Sequence, residues 1–211
     1  MSDLLLRQDV GAVRVLTMNR AAKRNALNTA LTRALLDALR TSDGDEAVRC
    51  VVLAGAGRGF CAGADLAEFK DLTPEFQHRV DERAELTMQL HLAFSKMAKP
   101  VVTAINGAAM GGGAGLAIAG DLAVMAQSAQ IGYPETRHGI VAAIVMANLV
   151  RQTGRKRAFE LVSLGESLTS QQALAFGLMN RVVPDAELMS EVMALAEKLT
   201  GINALALKAT K

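Results

Sequence analysis

Two rhythms of apolar residues alternate along the first part of this chain. Leu4–Leu6, Val13–Met18, Cys50–Ala54 and Val101–Ile105 are short apolar runs that read as strands, Cys50–Ala54 being of the continuous, buried kind. Between them apolar residues recur at intervals of three and four. Leu31, Leu35, Leu36 and Leu39 follow a capping Asn28, and Leu86, Leu90, Phe94 and Met97 precede Pro100. Gly11 turns the first strand pair, and Asp43-Gly44-Asp45 breaks the first helix. Strand, helix, strand and glycine loop in succession predict an α/β domain.

Beyond Pro134 the pattern is mostly helical, over Ile144–Val150, Ala158–Leu164, Gln171–Phe176 and Leu188–Leu199, with Val182-Val183 as an extended interlude. A helical C-terminal portion is therefore expected on the α/β core. No fixed sequence repeats, yet the units at Val51 and Val101 share one design: a strand that runs into glycines.

Composition narrows the possibilities. A chain of 211 residues that is 51% hydrophobic supports one main core. With 23 basic against 21 acidic residues it offers no broad polyanion surface, so nucleic acid is not an expected partner. Cys50 and Cys61 form no CxxC pair and only three histidines are present, which argues against a metal site or a disulfide framework and fits a reducing, cytoplasmic setting. The N-terminus carries an acid where a leader would carry bases, and no apolar run reaches the roughly 18 residues of a membrane span. A soluble protein is expected.

The chemistry points to the glycines. Gly111-Gly112-Gly113 follows one strand, Gly63-Ala64-Asp65 the other, and both let a bound oxygen approach the main chain closely. Two such loops meeting can aim two N–H groups at one oxygen, stabilising a developing enolate by about 3–4 kcal/mol per donor. Other features read as structure. Gly57-x-Gly59-x-x-Ala62 mimics a dinucleotide fingerprint, but AEFKDLTPEF after it lacks the long apolar helix required. Arg151–Arg157 reads as a solvated helix start, Asp65 and Asp121 as turn-stabilising groups, and the ten methionines as core filling, with Met110 and Met146 able to shape a channel. His138 is unassigned.

Five segments carry a resemblance: MNRAAKRNALN (Met18–Asn28), VVLAGAGRGFCAGADL (Val51–Leu66), KPVVTAINGAAMGGGAGLAIAGDLAV (Lys99–Val124), PETRHGI (Pro134–Ile140) and RKRAFELVSLGESLTSQQALAFGLMNRVVP (Arg155–Pro184). In this order, spanning nearly the whole chain, they resemble the enoyl-CoA hydratase/isomerase, or crotonase, family. The resemblance implies an α/β fold of ββα turns forming a spiral, here residues 1–184, followed by a C-terminal helical segment, 185–211. That segment is shorter than the family's usual trimer-building helices. It further implies an acyl-CoA thioester substrate, no separate cofactor, and a homotrimer or dimer of trimers.

By motif position the resemblance places oxyanion-hole N–H groups at Ala64 and Gly112, with Gly111 beside them. It places coenzyme A contacts along Arg24, Ala26 and Leu27 and along Ala62, Gly63, Asp65 and Leu66. Hydratases of the family carry two catalytic glutamates. Here the first position is Gly115 and only the second, Glu135, is an acid. One carboxylate suffices to move a proton between carbons, whereas positioning and splitting a water is commonly shared by two. Double-bond isomerisation by Glu135 is therefore expected, its carboxyl pKa raised if Ile131, Tyr133 and Ile140 enclose it. Hydration with an unidentified partner group, or coenzyme A ester binding without turnover, are the alternatives.

Overall fold

A computed structural model describes residues 4–71 and 74–211; Met1–Asp3, with the acid noted above, lie outside them. Strands β1 (Leu5–Val10) and β2 (Val13–Met18) pair antiparallel around Gly11, as their sequence predicts. Helix α1 (Thr29–Gly44) starts on Asn28, whose side-chain oxygen accepts the Leu31 N–H at 2.9 Å. It buries Leu31, Leu35, Leu36 and Leu39, the stripe visible in the sequence.

Strand β3 (Cys50–Gly55) is followed by a glycine-rich stretch that is only partly loop, since Gly59–Cys61 forms strand β4. Helix α2 (Gln77–Lys96) buries Leu86, Leu90 and Phe94 and leads into β5 (Val101–Ile105), β6 (Ala108–Met110) and α3 (Gly112–Ala117). Helix α3 stops at Ala117. Asp121 serves the turn that follows, its carboxylate accepting the Val101 N–H at 2.8 Å.

Next come β7 (Leu122–Ala126), β8 (Gln130–Gly132) and α4 (Ala143–Leu164), which unites two predicted helices across a bend at Gly154 (φ 77°, ψ 163°). Arg151–Arg157 thus spans a bend rather than opening a helix, and the Arg157 guanidinium lies 4.5 Å over the Phe176 ring. The chain continues through β9 (Ser167–Thr169), α5 (Ser170–Ala175), β10 (Arg181–Val183), α6 (Leu188–Thr200) and α7 (Ala204–Thr210).

The strands sort into two sheets by a simple rule. The first strand of each turn, β3, β5 and β7, joins a six-stranded sheet of order β1-β2-β3-β5-β7-β10. The second, β4, β6 and β8, joins a four-stranded sheet of order β4-β6-β8-β9. Within the second sheet β4, β6 and β8 run parallel, so the loops that follow them leave from one edge. Adjacent loops there come from segments far apart in sequence, those after Cys61, Met110 and Gly132. Leu53, Val102, Ile105 and Val124 are fully buried on the larger sheet, and α6 packs Leu188, Val192, Leu195 and Ala196 against it. Among the described residues no helix is long and apolar enough to cross a membrane.

Candidate active site

The loops after β4 and β6 meet in backbone contact. Cys61 pairs with Ala109, and two residues later a Cβ on Gly63 (φ +89°) would stand 2.6 Å from the Met110 carbonyl oxygen. A Cβ on Gly113 would come 2.2 Å from the Cys61 carbonyl oxygen. Only glycine permits these approaches. They bring Ala64 beside Gly112, whose own Cβ position lies 3.9 Å from the Ala64 nitrogen. Among the described residues neither the Ala64 nor the Gly112 N–H has an acceptor.

The remaining residues expected at the rim gather around this pair. The Arg24 carbonyl (φ +50°) accepts the Ala62 N–H at 2.9 Å. Leu27 donates its N–H to Gly63 at 2.7 Å and accepts the Asp65 N–H at 3.1 Å, a single parallel bridge that sets Ala64 in place. The Asp65 side chain is tied to Arg20 at 2.9 Å, which holds its carboxyl below the usual range, and Arg20 also donates to the Ala26 carbonyl. Leu66 is half exposed beside them.

Three supports of this rim escape a reading of the sequence. Asn25, wholly buried at φ +56°, spreads its side-chain amide over the carbonyls of Ala56, Gly59 and Phe60 at 2.9–3.1 Å. Arg83 reaches from α2 to the Leu27 carbonyl at 2.8 Å, and Arg20 closes the other side. An asparagine, tolerant of left-handed backbone, between Arg24 and Ala26 was the available signal for the first.

Glu135 enters from the third loop, in a short 3-10 turn (Pro134–His138) that follows β8. Its carboxylate lies against Gly111, with one oxygen 2.9 Å from the position a Cβ would take there. The other oxygen, Oε2, is buried with no partner among the described residues. Burial raises the carboxyl pKa, outweighing the Glu135 backbone N–H and the charge of His138, which lower it. Ile131 and Tyr133 are buried nearby, and the Ile140 N–H donates to the Glu135 carbonyl at 3.0 Å. Tyr133 carries an unpartnered hydroxyl, its pKa driven up by burial and then by the Glu135 charge.

Gly115 lies on the next turn of α3, and the space beside it is filled. A Cβ at this position would stand 2.3 Å from Val145 Cγ1 and 2.7 Å from His91 Cε1. His91, only 6% exposed, has no partner for its Nε2, and burial lowers its pKa to about 4. The Cys61 thiol is pushed up to about 12 by burial and donates to the Asn25 carbonyl at 3.2 Å, which leaves it inert as a nucleophile. No group of three or more potential metal-ligating side chains gathers among the described residues.

Parallel ββα turns wound into a spiral, with two glycine loops and a half-buried carboxylate on one edge, define a crotonase-type α/β fold. The chain belongs to the enoyl-CoA hydratase/isomerase family, whose model matches residues 8–211. It is 38% identical to the 2,3-dehydroadipyl-CoA hydratase of Escherichia coli, across all of this chain and 81% of that protein. It is 36% identical to the 1,2-epoxyphenylacetyl-CoA isomerase of the same organism, over 94% of this chain and 77% of the other. The crystal structure of an enoyl-CoA hydratase from Mycobacterium smegmatis superimposes with a TM-score of 0.93 at 34% identity, covering 99% of this chain and 82% of that one.

Proposed function

We propose that this protein moves a carbon–carbon double bond in an enoyl-CoA thioester, with Glu135 as its one acid–base group. The Glu135 carboxylate removes a proton from C2 of a 3-enoyl-CoA, and the electron pair passes to the thioester oxygen. The N–H groups of Ala64 and Gly112 hold that oxygen as the dienolate forms. Glu135 returns the same proton at C4, the double bond comes to rest between C2 and C3, and the carboxylate is regenerated. A raised carboxyl pKa brings the base closer in strength to the carbon acid it must serve. The thioester brings its own coenzyme A and no further cofactor enters. Its nucleotide and pantetheine lie along Arg24, Ala26, Leu27, Ala62, Gly63, Asp65 and Leu66.

The observation that carries this reading is the single carboxylate: half-buried Glu135 lies against Gly111, while the space where a second acid would start is taken by Val145 and His91. Turnover of a 3-enoyl-CoA that exceeds hydration of crotonyl-CoA at least tenfold is expected, and the opposite preference would refute it. Hydration is the second reading, favoured by the hydratase names among the relatives. A homotrimer is also proposed, supported by the exposed apolar side chains of Val141 and Phe159, 72% and 70% accessible. A stable monomer in sedimentation would remove that part.

A further inference from the structure

Four buried side-chain polar atoms lack a hydrogen-bond partner among the described residues: His91 Nε2, Asn106 Oδ1, Tyr133 Oη and Glu135 Oε2. Leaving such an atom unpaired costs about 1–3 kcal/mol, so each needs a reason. Glu135 and Tyr133 belong to the third loop. His91 comes from a different element, the middle of α2, where nothing in the reaction above uses it.

Its placement is specific. The ring's Cε1, bonded to Nε2, stands 2.7 Å from the position a Cβ would take on Gly115. Gly115 donates its N–H to the Gly111 carbonyl at 3.0 Å, and Gly111 faces Glu135. The first turn of α3, about 5.4 Å of rise, thus has the Glu135 carboxylate against Gly111, an N–H without an acceptor among the described residues at Gly112, and the His91 imidazole against Gly115. With the thioester oxygen on Gly112 and its acidic carbon at Glu135, His91 borders the part of the acyl group one or two carbons further along.

We propose that His91 is a specificity-determining residue whose Nε2 hydrogen-bonds an oxygen, a hydroxyl or a carbonyl, on the β- or γ-carbon of the acyl chain. The assignment rests on reading Ala64, Gly112 and Glu135 as the acyl site. A neutral imidazole has one donor and one acceptor, so it suits an uncharged oxygen and gives no special attraction for a carboxylate. Val145, whose Cγ1 lies 2.3 Å from the same Cβ position of Gly115, supplies the apolar wall that keeps water from competing.

The test compares butyryl-CoA with 3-hydroxybutyryl-CoA and 4-hydroxybutyryl-CoA by calorimetry on the whole chain. The wild type is expected to bind one of the hydroxylated esters about five- to tenfold more tightly than butyryl-CoA. His91→Leu brings that ester down to the butyryl-CoA affinity, and His91→Gln keeps part of the preference. His91→Leu should also melt higher than the wild type, because an apolar group of similar size relieves an unpaired nitrogen, whereas loss of a structural hydrogen bond would lower the melting temperature. Equal affinity of all three esters for the wild type, or a preference that survives in His91→Leu, would overturn the assignment of His91 alone. Failure of every ester to bind would overturn the acyl site and this proposal together.

Discussion

Two polar clusters, each formed around a buried side chain, obey opposite rules in this protein. At the start of the larger sheet, the Arg14 side chain is 1% exposed and fully engaged. Its guanidinium meets Asp9 at 2.8 and 3.0 Å and Asp45 at 2.7 Å, with Ser42 at 3.5 Å. Around the first turns of α3, Glu135, His91 and Tyr133 bury polar atoms that have no partner among the described residues. The first cluster fastens β1 and β2 to the end of α1. The second keeps unspent hydrogen-bonding capacity in a dry place, where it can act on a ligand at full strength. Location alone does not separate them, since each has a buried side chain at its centre, Arg14 in one and His91 in the other; the presence or absence of partners does.

The largest effect expected is on turnover. Glu135→Gln should cut isomerisation by about 10²–10⁴-fold, the usual worth of a positioned acid–base group, in a steady-state assay with a 3-enoyl-CoA. Retained activity would erase the functional half of the contrast. The same variant should be more stable than the wild type near neutral pH and closer to it under acid. The sign follows from a raised carboxyl pKa: the folded state binds the proton more tightly, so the stability of the wild type declines as pH rises from the unfolded value through the folded one.

Arg14→Met should lower stability by about 2–4 kcal/mol in urea denaturation while leaving coenzyme A ester binding intact. Its pH dependence runs the other way. Arg14, and then Arg7, hold the Asp9 carboxyl well below its usual range, so the stabilisation is complete above about pH 4 and fades as acid drives Asp9 toward protonation. A flat acid arm in the wild type would show that the network adds little.

Gly115→Ala ranks next. Its new methyl meets Val145 and His91 inside van der Waals distance, which predicts a loss of about 1–3 kcal/mol. Val145→Ala in the same chain should recover part of it, a coupling that a double-mutant cycle reads directly. Tyr133→Phe should change stability by less than about 1 kcal/mol, in either direction, because the lost hydroxyl had no partner. A larger loss would move Tyr133 into the structural class with Arg14.

How much of this was legible in the sequence depends on which atoms carry the information. Cys50–Ala54 and Val101–Ile105 announce themselves as strands by their own side chains, and the stripe Leu86, Leu90, Phe94 marks α2. The second sheet does not. Its strands have three residues each, too short for a period of two to show, and β6 is Ala-Ala-Met, with little propensity for a strand. They become strands because their neighbours in the spiral offer backbone groups to pair with. The glycine loops and Glu135 could be placed from motif order. His91 could not, since it sits on α2 between Leu90 and Leu92, and only the packing of α2 and α4 against α3 turns its ring toward Gly115. Asn25 hid for the same reason: its amide bonds to carbonyls more than thirty positions away.

The crowding at Gly115 also bears on how such a protein can change over generations. A single substitution that installs a carboxylate there must first lodge a Cβ between Val145 and His91, and so passes through a destabilised intermediate. A smaller residue at 145 or 91 has to arrive beforehand to open the way. Descent from this chain to a two-acid enzyme is therefore an ordered path of at least two steps, with the permissive change preceding the functional one.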